Sequence, residues 1–573
     1  MNISSLFRKK TVKHILAELE RNNNSGEHQL KKTLNLRDIT ALGIAAIIGA
    51  GIFSTIGNAS ADGGPAVIFL FLFIAFACSF SAMCYAEFAS SIPVSGSAYT
   101  YAYASFGEIV AWIIGWALIV EYAIGNIVVA ISWSDYFTGL LDGLHMHVPE
   151  YFSMDFLSAK RGYAEVLNLF SSGQTFQSLT HSQQEAFTAW QNAPEILGLK
   201  VVLDIPALAI VLAITALIYR GVHETKTVGN IFVGLKLIVI ALVIVVGAFY
   251  VNPDNWSPFA PNGMSGVLRG VASVFFAYIG FDALATTAEE CKDPKRDLPK
   301  AMMASLIICS VLYILIALTL TGMISYKELG VGDPLAFVFE KLHVSWMSGI
   351  VAVSAVIAMA SVLLVFQMGQ PRIWMSMSRD GLLPKKFSAI HPKYKTPWFS
   401  TIITALMVAV PALFMNLKEV TDLSSIGTLF AFVVVCAGVI RMESHKNEFH
   451  VGFRVPYING KYIVPFLFIF SFIALYFLRT EIFINFFKGE NISQTFPTWL
   501  FIILAFVMSV MTFVKNYSLI PVMGLLSNFY LMSELGISNW LWFTIWLLFG
   551  LCIYFLYGMK HSKLIKQMIP TSN

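Results

Sequence analysis

Charge is scarce in this chain. Only 13% of its 573 residues are Asp, Glu, Lys or Arg, about half the share in a soluble domain, so a soluble globular protein is excluded. Cysteine is scarce too, at six, with no CxxC pair. Cys78, Cys84, Cys309, Cys436 and Cys552 fall in apolar runs and Cys291 in a basic loop, so free thiols are expected rather than a disulfide framework or a metal knuckle. None of the eleven histidines lies in an apolar run, which argues against an intramembrane Ser–His dyad or a His-ligated metal. No GxxxxGKS/T occurs, so ATP is not the driver. GAGIFS at 49–54 lacks the third Gly and the strand–helix context of a dinucleotide fingerprint. Polar sequence, not an apolar signal-peptide core, follows Phe7-Arg8-Lys9-Lys10. Nothing calls for a cofactor, a metal or a nucleic acid.

What is abundant is apolar sequence: 57% of the chain, with a mean hydropathy of +0.70. About 20 apolar residues cross a ~30 Å hydrocarbon core. Runs of that kind number about fourteen, near 39–59, 66–90, 104–136, 201–219, 227–249, 266–290, 301–323, 346–376, 399–417, 423–441, 463–480, 497–515, 518–533 and 537–558. They are numbered spans 1 to 14 here, and the thirteenth is the weakest. An all-α polytopic membrane protein is expected. Lys and Arg set its direction. Lys31, Lys32, Arg37, Arg220, Lys226, the run KDPKRDLPK at 292–300, Arg379, Lys385, Lys386, Lys393, Lys395, Arg441, Lys446, Arg454, Lys461, Lys560, Lys563 and Lys566 share one side. Only Lys160, Arg161, Lys200, Lys327, Lys341, Lys418 and Lys488 lie on the other. Both termini are therefore expected in the cytoplasm. One outer loop, 137–200, is too long for a plain connector and reads as one or two helices lying over the outer face.

Span 1 contains Gly49, Ala50 and Gly51 at its centre. Gly costs a helix interior roughly 1 kcal/mol relative to Ala, and lipid tolerates irregular backbone only where it is buried in protein or lines a cavity. Close helix packing accounts for one such triplet. Span 6 supplies a second interruption, FFAYIGFDALATTAEE at 275–290, with Gly280 followed by Asp282. Five spans apart, the two segments run in opposite directions. That is the pattern of inverted five-span repeats with a binding site between discontinuous helices. Half-helix N-termini suit a carboxylate and exposed carbonyls suit an ammonium, so the backbone would read a zwitterion.

Ionisable residues inside spans need a reason. Lys236 lies near the middle of span 5 and Glu121 midway along span 3. Desolvation disfavours the Lys236 ammonium, which makes proton exchange one role; bracing span 5 against carbonyls of the broken span 1 is the other, and the two are compatible. Glu121 reads equally as a second proton site near Lys236 or as a protonated carboxyl in a helix contact. Glu87, towards the cytoplasmic end of span 2, reads as an interfacial carboxylate or an intracellular gate. Asp282 is placed to cap the second half of span 6, and Glu289 and Glu290 to pair with the basic 292–300 loop. For a side-chain pocket the candidates are Phe281 and Met359, which core packing explains nearly as well.

Several long motifs, LNLRDITALGIAAIIGAGIF, YAEFASSIPVSGSAYTYAYASFGE, GWALIVEYAIGN, FFAYIGFDALATTAEECKDPKRDLPKAM and GQPRIWMSMSRDGLLPKKFSAIHPKYKTP among them, resemble the amino acid–polyamine–organocation superfamily, in particular the bacterial branch of its cationic amino acid transporter family. The resemblance covers roughly 34–562. It implies a LeuT-type 5+5 core and proton-driven uptake of L-amino acids across the plasma membrane, the inner membrane in a bacterium. It also implies that the substrate carboxylate meets the N–H groups of Ala50 and Gly51, beside Gly49, and the ammonium the carbonyls of Ile47, Phe276, Ala277 and Ile279. Lys236 and Glu121 match the family's span-5 lysine and span-3 glutamate. Position 50 is Ala where many relatives carry Thr or Ser, and the 137–200 loop is longer than the family leads one to expect.

The expected organisation is a cytoplasmic segment 1–35, a ten-helix core 36–443, additional helices over 444–560 and a cytoplasmic tail 561–573. Free L-amino acid, protons and the lipid bilayer are the expected partners, with a small single-span subunit left open. Apolar pocket candidates favour small or medium neutral substrates. A carrier or exchanger of Arg and Lys, a channel, and a non-transporting amino-acid sensor on the same fold stand as alternatives.

Overall fold

The computed structural model describes residues 7–10, 34–92, 97–196, 198–221, 226–443, 452–478, 480, 483 and 492–564. Lys31, Lys32, Lys446, Lys488 and Lys566 of the charge pattern fall outside them, as do the side chains of Lys226, Glu289 and Glu290. The chain is built almost wholly from helices, with one short hairpin pairing Glu195–Ile196 and Leu199–Lys200.

All fourteen expected segments are helical. Taken singly, eight helices are long and apolar enough to cross a membrane, nine when the bent pair Gly263–Arg269 and Val271–Ala285 is one span. The difference from fourteen has a geometric cause. At 1.5 Å per residue, Ile205–Tyr219 and Trp398–Ala412, 15 residues each, and Ile463–Leu478 and Leu519–Glu534, 16 residues each, reach only about 23 Å. Span 1 is divided between Leu36–Ile47 and Gly51–Gly63, and its second half runs through Gly64–Ala66 into span 2, Val67–Ser91. Spans 3 and 8, Glu108–Gly143 and Ser345–Arg379, are the longest helices and pack along each other.

The helix starts follow local chemistry. Asn35 Oδ1 accepts the N–H groups of Arg37 and Asp38 at 3.0 and 3.2 Å, and the Asp38 carboxylate accepts the Asn35 N–H at 3.0 Å; this reciprocal cap starts span 1. Asp204 Oδ1 accepts the Ala207 N–H at 3.0 Å and the Ser134 hydroxyl at 2.6 Å, tying the start of span 4 to the outer end of span 3. The last span joins the core through indoles: Trp116 and Trp546 donate to each other's carbonyls at 2.9 and 3.0 Å, and Trp112 Nε1 donates to Gly550 O at 2.9 Å. In lipid such bonds replace the hydrophobic drive that helix association lacks there.

The outer loop forms two helices, as its length suggests: Phe156–Ser171 and His181–Asn192. Arg161 pairs with Glu419 at 2.5 Å at the outer end of span 10. The rings of His181 and Phe337 lie 5.7 Å apart, placing the second helix on Pro334–Lys341, a short helix between spans 7 and 8.

Candidate functional site

Span 1 stops where the glycines begin. Its first half ends at Ile47, Ile48 turns to φ −78°, ψ 92°, and a wide turn over Gly51–Thr55 opens the second half. Carbonyls freed at the break are met from neighbouring spans. Lys236 Nζ donates to Ala45 O at 3.3 Å and Ile48 O at 3.2 Å, and the Tyr313 hydroxyl donates to Ile47 O at 2.9 Å. Gly49 O accepts from the N–H groups of Ile52 and Phe53 at 3.2 and 3.3 Å. The Tyr136 hydroxyl bonds Phe53 O.

Span 6 breaks at the corresponding place. Val271–Phe276 gives way to a turn, and Gly280 takes φ +119° before the chain resumes as a tight helix over Phe281–Glu290. Asp282 is almost wholly buried, and its carboxylate accepts the Gly280 N–H at 3.3 Å, with the N–H groups of Asp282 and Ala283 also turned to it. It ties down the turn before the second half-helix, which itself begins at Gly280 without a side-chain cap, so the N-cap expected of Asp282 is not formed.

The two breaks lie against each other. A side chain on Gly51 would run into the backbone of Ala277, and one on Gly280 would come within 2.7 Å of Ala46 O. Thr55 Oγ1 bridges Gly51 O and Ser273 O, at 3.0 Å each. The glycines are required here by contact between main chains, and at Gly280 by the positive φ as well.

Ile47, Gly49, Ala50, Gly51, Phe276, Ala277 and Ile279 are all buried at these breaks. Of the four carbonyls matched to an ammonium, that of Ile47 already accepts Tyr313, and that of Phe276 accepts the Ile279 N–H at 3.1 Å; each has a second lone pair. Phe281 lies in an aromatic cluster, 6.1 Å from the Tyr85 ring and 5.0 Å from that of Phe432. Met359 is fully buried on span 8, but the span-8 residue packed on the break is Val362, whose Cγ2 lies 3.0 Å from a Cβ built on Gly49. Val362 was missed, although the three-residue step from Met359 puts both on one helix face. Tyr313 and Tyr136 were missed as well. A single tyrosine in an apolar run carries no mark of what its hydroxyl meets.

Lys236 and Glu121 occupy different surroundings. The Lys236 contacts described above are with the first half of span 1. Glu121 lies against Thr428 and Gly427 of span 10, with Asp282 the neighbouring acid, and its Oε2 has no hydrogen-bond partner among the described residues. Glu87 Oε2 accepts the Val455 N–H at 2.8 Å, so it holds the segment after span 10 onto span 2.

Two interrupted crossings set back to back, with main-chain polar groups between them, are the arrangement in which secondary carriers build a binding site. Residues 34–511 match the amino acid permease family and 517–562 the C-terminus of such permeases. The chain belongs to the amino acid permease family, within the superfamily its motifs resemble. It is 36% identical over 561 residues to the branched-chain amino acid permease BcaP of Bacillus subtilis, covering 98% of this chain and 99% of that one. It is 37% identical over 565 residues to the methylthioribose transporter of the same organism, covering 98% and 100%. With human cationic amino acid transporter 4 it shares 29% identity over 616 residues, covering 96% and 90%.

Proposed function

We propose that the chain takes up free L-amino acids with small or medium apolar side chains, by proton symport and alternating access, across the plasma membrane (the inner membrane in a bacterium). The observation that carries this is the inequality of the two breaks. At span 6 the Asp282 carboxylate already takes the Gly280 N–H in the turn. At span 1 the N–H groups of Ala50 and Gly51 open the half-helix with no carboxylate capping them, which leaves that end for a substrate carboxylate. The ammonium then lies on the carbonyls of Ile47, Phe276, Ala277 and Ile279, and the side chain points towards Phe281, Met359 and Val362. Lys236 is the proton-exchanging group and Glu121 the second. Spans 1–5 and 6–10 form the inverted halves of the 36–443 core, flanked by the helices of 444–560. The Lys and Arg pattern supports cytoplasmic termini.

A second reading rests on the unpartnered Glu121 oxygen, which a Lys or Arg side chain would satisfy, and it fits the likeness to cationic amino acid transporters. A third follows the methylthioribose transporter: a sugar thioether has no carboxylate for the span-1 N–H groups. Uptake by purified protein in proteoliposomes, inside alkaline, screened over the twenty amino acids and methylthioribose, decides among them. Accumulation of Val, Leu, Ile or Ala in saturable, counter-flowing fashion supports the first reading. Flux of Arg and Lys alone supports the second, and flux of methylthioribose alone overturns zwitterion recognition.

A further inference from the structure

The outer loop builds a cavity that the central site does not use. About 270 Å³ in volume, it lies between the start of the His181–Asn192 helix and the 327–341 stretch that joins spans 7 and 8. This stretch rests directly on the outer half of span 1: a side chain on Gly57 would strike Leu329 O and Pro334, and Gly330 faces Ala61 at 3.5 Å. The cavity therefore lies just outside the outer half of span 1. Its lining is segregated by chemistry. Leu179, Val331 and Phe337 make an apolar wall, while His181, Lys327, Glu328 and Lys341 supply charge. Glu328 and Lys341 pair with each other. Lys327 is exposed and has no ion-pair partner among the described residues.

Three cations and one carboxylate line the cavity beside an apolar wall, with Glu185 paired to His181 from the same helix at 3.4 Å, and this lining complements one class of solute. Resting on the transport reading above, we propose that this cavity is an external receiving site for the zwitterion of an apolar amino acid, its carboxylate on His181 and Lys327, its ammonium on Glu328 and its side chain on Leu179, Val331 and Phe337. The loop thereby gains a role: it holds substrate just outside span 1 before the central site takes it. The hydrogen bond that the His181 ring donates to Glu185 raises it to about 9, with the charges of Glu185, Asp333 and Glu340 adding and burial opposing, so it is cationic at neutral pH.

Hydrogen exchange on the full chain in lipid nanodiscs, with L-leucine as the probe, reads both sites at once. Leucine is expected to protect 176–192 and 326–341 at the cavity, and 44–55 and 273–285 at the breaks. The double variant His181→Ala/Lys327→Ala changes two exposed loop side chains. It is expected to lose the cavity protection, keep that at the breaks, and raise the external KM for leucine uptake about fivefold at unchanged maximal rate, as loss of partly exposed charge pairs does. Lys327→Arg, combined with native His181, is expected to keep the native KM. Absence of leucine-dependent protection at the cavity, its survival in the double variant, or an unchanged KM overturns the proposal. Equal protection by sodium acetate or phosphate also overturns it, by showing a general anion site. Protection at the cavity without any at the breaks counts against the transport reading and leaves the cavity site standing.

Discussion

Replacing Lys236 with methionine removes the ammonium while keeping most of the side chain's volume. Two carbonyls, Ala45 O and Ile48 O, lose donors at 3.3 and 3.2 Å in a position where the lysine is 1% exposed. A buried acceptor left without a partner costs about 1–3 kcal/mol, so the two together cost about 2–6 kcal/mol. The cost of burying the charge itself disappears with the ammonium, and on insertion scales that returns about 2.5–3.5 kcal/mol. The opposing contributions are of the same size, so the variant is expected to fold, with a modest loss of thermal stability. What separates a brace from a proton carrier is the kind of transport that survives. A protein that still binds and exchanges substrate needs no proton for counterflow, whereas accumulation against a gradient does. In proteoliposomes Lys236→Met, like Lys236→Ala, is expected to bind leucine and support counterflow within a few-fold of the native protein, and to lose accumulation driven by an inside-alkaline pH gradient. Unchanged accumulation would remove Lys236 from coupling. Equal loss of counterflow, accumulation and binding would make it a brace alone.

Gly280→Ala places a Cβ within 2.7 Å of Ala46 O at φ +119°. The strained backbone costs about 1–3 kcal/mol and pushes the two breaks apart, so more than a tenfold loss of uptake is expected with the helical content retained by circular dichroism; native uptake would show that the breaks need not touch. The outer lid is expected to loosen as pH rises. Burial, with Glu185 and Glu340 adding, lifts the Asp333 carboxyl to about 8, and His181 stands at about 9. Both values are raised, so their contribution to docking of the outer loop is complete only below the ordinary 3.8 and 6.5 and is lost progressively as pH climbs from those through 8 and 9. Hydrogen exchange over 156–192, corrected for the intrinsic rate, is expected to be faster at pH 9.5 than at pH 6, and slower exchange would refute the assignment.

The helices were legible because a hydrocarbon solvent leaves the backbone almost no other choice, and composition alone marks them. The breaks were legible for the converse reason: only a purposeful exception places Gly49 and Gly51, or Gly280 with Asp282, at mid-bilayer. Element ends were less so. Span 4 starts at Ile205 rather than 201, because Asp204 caps it, and span 9 ends at Ala412 just past Pro411 rather than at 417. Lys236 could be placed on span 1 in advance, since freed carbonyls are the acceptors an ammonium seeks. Glu121 was expected near Lys236 and lies instead against span 10 and the span-6 break, because those partners come three hundred and more than one hundred and fifty residues along the chain. Val362 and Tyr313 were hidden for the same reason: which apolar or hydroxyl-bearing residue of a long helix faces a break depends on helix rotation, which a nearly uniform apolar run does not encode.

The inequality of the two breaks also bears on direction within the site. Were both half-helix N-termini free, a zwitterion could dock its carboxylate at either and bind in two opposed poses, and neither would bring its side chain reliably to span 8. On the reading proposed above, Asp282 would disfavour one of the two choices by giving the Gly280 N–H a carboxylate of the protein's own. Tyr313 and Lys236 constrain the other pole, since they take up carbonyls at Ile47, Ala45 and Ile48, and so leave the ammonium to share acceptors or to use those of the span-6 turn. On that reading, pose would be set by which main-chain groups the protein satisfies for itself. Specificity for the side chain would then be altered through Val362, Met359 and Phe281 without rebuilding the main-chain part of the proposed site.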